Sequence, residues 1–486
     1  MVSIPASSTI KAPLELLTAP MQHQRAAQEH LGRLRIGGLF MDPGTGKTRT
    51  VIGMIQDRWE KIDRVVYICP VNTLQNVQME LHKHIKNPRV CVFTSSTRVG
   101  KIPEADFYVV GLESFSQSSR VTLATHSLIT ENTLVVVDEG DLIKGHTATR
   151  TKRITLLGKK ARYRFLLTGS AACESYGDLF SQMYFLSPKI LGYHSYYSFS
   201  QNHLEFHKDY PELVVQNLNT DLLTRKIQPY VFQIKKEECV DLPKKRYCTH
   251  YFSMTHEQRT LYHQAKMELL SMPAENFRSH HLFKLFTALR EICSGYWHDT
   301  ATEYEIRKGL RSGHRMHTVE HDRINTLRQV LRQVPEGERV VVWSVFHHSI
   351  RQMVADLGMD HEVFEFHGAL PLERRMQNLQ GWRDTPGGVL VASPRCGGRG
   401  LTLNECAFAV FYDHDFPYRV RLQGEDRIHR IGQGREVTYF DLVCRDSMDE
   451  RIHEALSRKE NLMRTFQRKL GSAQGRSGLI KELRKL

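Results

Sequence analysis

Nowhere in the 486 residues does an apolar run approach the roughly 18–20 residues that a membrane-spanning helix needs. The opening stretch, MVSIPASSTIKAPLELL, lacks a basic start leading into an apolar block, so no secretory signal is expected. Cysteine is sparse and unpatterned: nine residues, an odd number, with no CxxC pair. That argues against a disulfide framework and a structural zinc site, and fits reduced thiols in a cytosolic setting. Histidine is plentiful at 25, but no HExxH occurs, and His280–His281 and His347–His348 read as surface or packing residues. Acidic residues are the scarcer charge, 53 against 67 Lys and Arg, for a net charge of +14. That excess favours a polyanionic partner, nucleic acid being the commonest; a basic soluble enzyme without one is the alternative. Hydrophobic residues make up 41% and charged residues 25%, which excludes wholesale disorder. The length suits two or three domains.

Short β-branched runs recur, each followed by a turn and then an amphipathic stretch. The clearest are 64–70, 133–140, 162–170, 339–346, 387–394 and 408–415. Continuous apolar runs of this length suit strands buried on both faces of a parallel sheet. Their alternation with helical patterns predicts an α/β fold, two lobes with parallel sheets and helical insertions between them. The region 175–330 reads as polar and mostly helical. A lobe boundary is expected within 229–245, where a charge run and Pro243 interrupt regular structure. The expected division is 1–235, 236–463 and a basic tail, 464–486, which is a solvated helix end or a nucleic-acid contact.

The strongest local signal is GLFMDPGTGKTRT, residues 38–50. A short strand enters a loop carrying Gly44, Thr45, Gly46, Lys47 and Thr48, and a helical pattern follows. Glycines allow backbone N–H groups to turn onto phosphate oxygens, and the helix start adds partial positive charge. Lys47 would reach the β- and γ-phosphates, and the Thr48 hydroxyl would hold magnesium. Met41 stands where GxxxxGK[ST] has its first glycine. The buried run TLVVVDEGD then supplies Asp138, placed to bind magnesium through water, and Glu139, placed to polarise the attacking water. Near the end, LQGEDRIHRIGQ (422–433) carries Arg427 and Arg430, three apart and therefore on one face if helical. Arginines reaching a bound nucleotide would stabilise transition-state charge; an exposed basic helix is the plain alternative.

Taken in order, these motifs resemble the Swi/Snf-type double-stranded DNA translocases of helicase superfamily two, over about residues 20–455. MQHQ (21–24) is similar to the adenine-recognising glutamine motif, with Gln24 in that role. VVVDEGDLIKG (135–145) resembles the DEGH or DEAH motif, with Asp141 in place of the histidine and Lys144 retained. RFLLTGS (164–170), FHGALPLERRMQNLQGW (366–382) and VASPRCGGRGLTLNECAFAVFYDHDFP (391–417) are similar to later family motifs. HRIGQ (429–433) is the most family-specific string.

The resemblance implies two RecA-like lobes and a DNA-dependent ATPase that moves on duplex DNA without extensive strand separation. It implies ATP and magnesium as cofactors. Gln24, Gly44, Thr45, Gly46, Lys47, Thr48, Gly400 and Gln423 would surround the nucleotide, and Thr48 and Asp138 the metal. Lys47, Asp138, Glu139, Arg427 and Arg430 would carry catalysis. Ser114, Thr168, Ser393 and Arg399 are candidates for sequence-independent DNA contacts. Duplex DNA, and proteins bound to it, are the expected partners of a monomeric motor without a membrane role, cytoplasmic in a bacterium or phage-infected host, or nuclear in a eukaryote. A strand-separating DNA or RNA helicase, and a DNA-binding protein with a decayed ATPase, are the alternatives.

Overall fold

The computed structural model describes residues 12–169, 176–206, 214–239, 241–271, 279–300, 314–397 and 401–458, and the single residue 478. Arg399, Gly400 and the tail from 464, apart from residue 478, lie outside them. Two compact units part between Asp241 and Leu242. Among the described residues no helix is long and apolar enough to cross a membrane.

The first unit is built on strands β1 (Ile36–Met41), β2 (Val65–Cys69), β3 (Val90–Val92), β4 (Phe107–Gly111), β5 (Leu134–Val137) and β6 (Tyr163–Thr168). They pair in the order β3-β4-β2-β5-β6-β1, every pair parallel. The continuous apolar runs follow from two-sided burial. Along β2, Val66 and Ile68 enter one core, while Val65, Tyr67 and Cys69 enter the other. A small antiparallel hairpin, β7 (Leu204–Phe206) with β8 (Val214–Asn217), sits among the helices that follow β6.

The interval 229–245 is more ordered than its charge run and proline suggest. Val231–Ile234 forms β9, which pairs in parallel with β1 and closes one edge of the first sheet. A one-turn helix, Lys236–Cys239, comes next, and β10 begins at Lys245 and runs to Phe252. Edge strands bury one side only, so both carry too much polar character to stand out as apolar runs. Pro243 lies just ahead of β10, where its missing N–H costs no ladder bond.

The second unit repeats the plan. After the hairpin β11 (Tyr296–Thr300) and β12 (His314–Thr318) come β13 (Val340–Trp343), β14 (Val363–Phe366), β15 (Val389–Ala392), β16 (Phe408–Phe411) and β17 (Val437–Cys444). The order is β10-β17-β16-β13-β15-β14, again parallel throughout. Val340 and Val342 pack into one core and Val341 and Trp343 into the other. The region 175–330 is mostly helical, as expected, and it also contains both hairpins and one edge strand of each sheet.

Candidate active site

In the first unit, β5, β6 and β1 are neighbours, so the loops leaving their C-terminal ends share one edge of the sheet. In doubly wound sheets that edge is where ligands sit. The loop after β1 turns through Gly44 at φ 84° and Gly46 at φ 82°, both left-handed, where a side chain would be strained. Helix α2 (Lys47–Gln56) starts directly behind Gly46. Thr45 is buried and its hydroxyl donates to the Asp42 carbonyl at 2.7 Å. The Lys47 ammonium donates to the Met41 carbonyl at 2.9 Å and reaches that of Asp42 at 3.4 Å.

Gln24, on helix α1 (Gln22–Leu31), is fastened to this loop. Its amide nitrogen reaches the Thr45 and Gly46 carbonyls, each at 3.4 Å, while its oxygen accepts the Met21 N–H at 3.0 Å. His23 adds a 2.8 Å contact to the Thr45 carbonyl. A Cβ on Gly46 would lie 2.3 Å from the Gln24 amide nitrogen, so the end of the Gln24 side chain would have to move off the loop.

Asp138 and Glu139 follow β5. The Glu139 N–H donates to the Asp138 carboxylate at 2.8 Å, and Glu139 has φ 52°, the left-handed region that a glutamate rarely adopts. Strain of this kind costs on the order of 1–3 kcal/mol and concentrates at functional sites. Burial, then the adjacent Glu139 charge, pushes the Asp138 carboxyl up to about 6, with Lys47 pulling the other way. Lys47, Asp138 and Glu139 thus share one electrostatic neighbourhood.

Two residues that sequence reasoning passed over join them. Tyr67, buried in β2, donates to the Asp138 carboxylate at 3.4 Å and is also within hydrogen-bonding reach of the Thr48 hydroxyl. It therefore ties together the two side chains expected on magnesium. Its signal was a phenol inside an otherwise apolar buried strand. Gly169, just past β6, is the other: a Cβ there would lie 2.9 Å from the Pro43 ring and 3.5 Å from the Lys47 ammonium. Thr168 is buried at the end of β6, and Ser114 is half-buried at the start of the Ser114–Gln117 helix after β4.

The second unit carries the arginine segment. Arg427 lies in the Tyr418–Ile428 helix, but that helix ends before Arg430, with His429 at φ −91°, ψ 84°. The two arginines therefore do not share a helix face. They converge differently: Arg427 reaches the Leu401 carbonyl at 3.2 Å, and Arg430 reaches it at 3.3 Å and the Thr402 hydroxyl at 2.8 Å. Gln423 is buried, and its carbonyl accepts from Arg427 at 3.1 Å. Gln433 donates to the Asn404 and Cys406 carbonyls at 3.0 and 2.8 Å, closing the turn. Ser393, buried after β15, donates its N–H to the Phe366 carbonyl at 3.0 Å.

A family model described as the SNF2-related domain matches residues 23–296, more than half of the chain, and so covers the phosphate loop and the Asp138–Glu139 pair. The chain belongs to the SNF2-related family. In this SNF2-related chain the arginine segment falls within a second match, the helicase conserved C-terminal domain, over residues 322–432. An uncharacterised ATP-dependent helicase of Mycoplasma genitalium is 24% identical, over 88% of this chain and 40% of its own length. The mouse chromodomain-helicase-DNA-binding protein 1-like is 23% identical, over 86% of this chain and 46% of its own. The chain thus spans less than half the length of either relative. The solved Sulfolobus solfataricus SWI2/SNF2 ATPase core in complex with dsDNA is 22% identical, with 98% of each chain covered and a TM-score of 0.44.

The residues after β1 and β5 suit a magnesium nucleotide. Gly44 and Gly46 hold the loop in the left-handed turn that a phosphate cradle uses, and the hydroxyl and carboxylate of Thr48 and Asp138 are the hard oxygen donors magnesium selects.

Proposed function

We propose that this chain is a DNA-dependent ATPase that translocates along double-stranded DNA, remodelling DNA or protein–DNA complexes without extensive strand separation. The observation that carries the reading is the gathering of Lys47, Thr48, Asp138 and Glu139 at one sheet edge. Gly44, Thr45 and Gly46 present backbone N–H groups to the substrate's phosphates, and Lys47 exchanges the Met41 carbonyl for phosphate oxygens, a stronger charge-assisted partner. Thr48 and Asp138 would hold magnesium, which would neutralise charge on the phosphates. Glu139 orients the attacking water and takes its proton. Gln24 reads the adenine, and Gln423 completes the nucleotide surroundings with Gly400. Arg427 and Arg430 supply positive charge to the γ-phosphate in the transition state.

DNA contact through Ser114, Thr168, Ser393 and Arg399 follows the backbone rather than the bases. The +14 charge supports a polyanionic partner, as does the DNA-binding helicase named among the relatives. The test is ATP turnover with and without duplex DNA, for the wild type and Glu139→Gln. Duplex DNA should raise turnover, and the variant should bind ATP yet hydrolyse it slowly. Stimulation by single strands or RNA but not duplex would favour a strand-separating helicase. Absent turnover would favour a decayed ATPase.

A further inference from the structure

Two sets of contacts, one in each unit, end on the same short stretch of chain. In the first unit, Asp42 of the phosphate loop donates its N–H to the Ile234 carbonyl at 3.3 Å, and its carboxylate accepts the Lys236 N–H at 3.0 Å. The loop is thus fastened to the end of β9 and the turn of helix behind it.

In the second unit, the same chain is seized again as soon as it enters. His429 contacts the Pro243 carbonyl at 2.7 Å. Glu425 accepts from Lys245 at 2.9 Å and from Tyr247 at 2.8 Å through one carboxylate oxygen, and from Arg421 at 2.8 Å through the other. The Glu425 carbonyl takes the Tyr439 hydroxyl at 3.0 Å. Arg421 in turn is paired through both terminal nitrogens with Asp441 of β17. Glu425 and Arg427 lie two apart on the helix, so they point to nearly opposite sides. Glu425 faces the entry strand β10, and Arg427 faces the Leu401 carbonyl. Fixing Glu425 therefore fixes the rotation of the helix and the direction of Arg427.

We propose that the stretch from Pro243 to Tyr247 is clamped to the arginine segment through Lys245, Tyr247, Glu425 and His429, and that this clamp sets the direction of Arg427. Lys245 and Glu425 are positioning residues: they act on ATP through the arginines, and the inference rests on the ATPase reading for that step alone.

The test uses the full chain with Glu425→Gln, Lys245→Met and Lys245→Arg. Backbone hydrogen exchange is read first, because it needs no activity. Lys245→Met and Glu425→Gln should each speed exchange across 427–433 about tenfold or more and leave 47–56 unchanged, the double variant should show less than the sum of the two effects, and Lys245→Arg should restore protection. Unchanged exchange at 427–433 in both variants overturns the clamp. In turnover, the same two variants should each lower kcat about tenfold with KM for ATP within twofold of wild type. Normal kcat in both overturns the positioning role. A kcat loss that merely tracks the folded fraction, measured by near-ultraviolet circular dichroism at the assay temperature, overturns positioning. A wild type that does not hydrolyse ATP defeats the functional reading instead, while hydrogen exchange still decides the clamp.

Discussion

The phosphate loop of the first unit and the arginine segment of the second are both dense in polar groups, yet they are held in different ways. The loop is shaped by its backbone: left-handed glycines, carbonyls taken by Gln24, His23, Thr45 and Lys47, and a helix starting behind it. Around the arginine segment the fastening is ionic. Arg421 bridges Glu425 and Asp441, Lys245 meets Glu425, and Arg323 pairs with Asp449 at full burial. A backbone-shaped loop lets side chains change partners at little cost. An ion-paired segment is rigid, and each pair that loses one member leaves a desolvated charge behind. The first design suits a site that must accept and release a ligand, and the second a site that must aim a side chain.

Turnover is where the comparison breaks most visibly. Lys47→Ala should drop ATP hydrolysis to background with little change in thermal stability, since the lysine's bonds to the Met41 and Asp42 carbonyls are replaceable by water. Arg430→Ala should lower the duplex-stimulated rate by roughly a thousandfold while ATP binding persists. Steady-state ATPase at saturating duplex DNA checks both, and an unchanged maximal rate for Arg430→Ala refutes its role.

Stability should show the reverse ranking. Arg323 is fully buried, paired with Asp449, bonded to the Tyr412 carbonyl at 2.9 Å, and stacked over Phe252. Arg323→Met leaves Asp449 charged and unmatched, and should cost about 3–5 kcal/mol in denaturant unfolding of the second unit. A loss below about 1 kcal/mol would mean that the pair is no stronger than an exposed one.

The same contrast explains what could be read from the chain beforehand. The six apolar runs coincide with β2, β5, β6, β13, β15 and β16 because two-sided burial leaves an unbroken hydrophobic signature. The phosphate loop was legible because backbone shape is written in glycines. The strand β17 was not, since Asp441 interrupts it, and its pairing with Arg421 is what makes that carboxylate tolerable there. β9 and β10 were hidden by their edge positions. Arg427 and Arg430 were legible as residues but not in their geometry, because the helix end at Ile428 is set by the turn that Gln433 closes. Glu425 gave no signal: a glutamate on a charged helix looks solvated until Lys245 and Tyr247 are seen against it.

Gly46→Ala sharpens the backbone half of the comparison. The alanine would have to hold φ near 82° and displace the Gln24 amide. Left-handed strain of about 1–2 kcal/mol is expected in urea unfolding of the first unit, together with weaker nucleotide binding. Stability equal to wild type would show that the loop can relax into another conformation.

The ionic half is sharpened by His414, which is buried against Phe411 and His453 and lies 3.8 Å from the Asp441 carboxylate. Burial holds its imidazole down to about 3; Asp441 favours the proton, while Arg421, His453 and Arg323 oppose it. The unfolded chain titrates near the ordinary histidine value, about 6.5. Between those two values the unfolded state binds a proton that the folded state refuses, so stability is fully present above about pH 6.5 and is lost as the pH falls toward 3. At pH 5 the loss from this one group is on the order of 2 kcal/mol. His414→Phe removes the proton site while keeping a ring against Phe411. Its absolute stability will also change through packing, but packing does not depend on pH, so the slope isolates the proton. Unfolding free energies of the second unit at pH 7, 6 and 5 should fall less steeply for the variant than for the wild type. Parallel slopes would show that His414 keeps its ordinary affinity for protons inside the fold, with the Asp441 carboxylate offsetting the cost of burial.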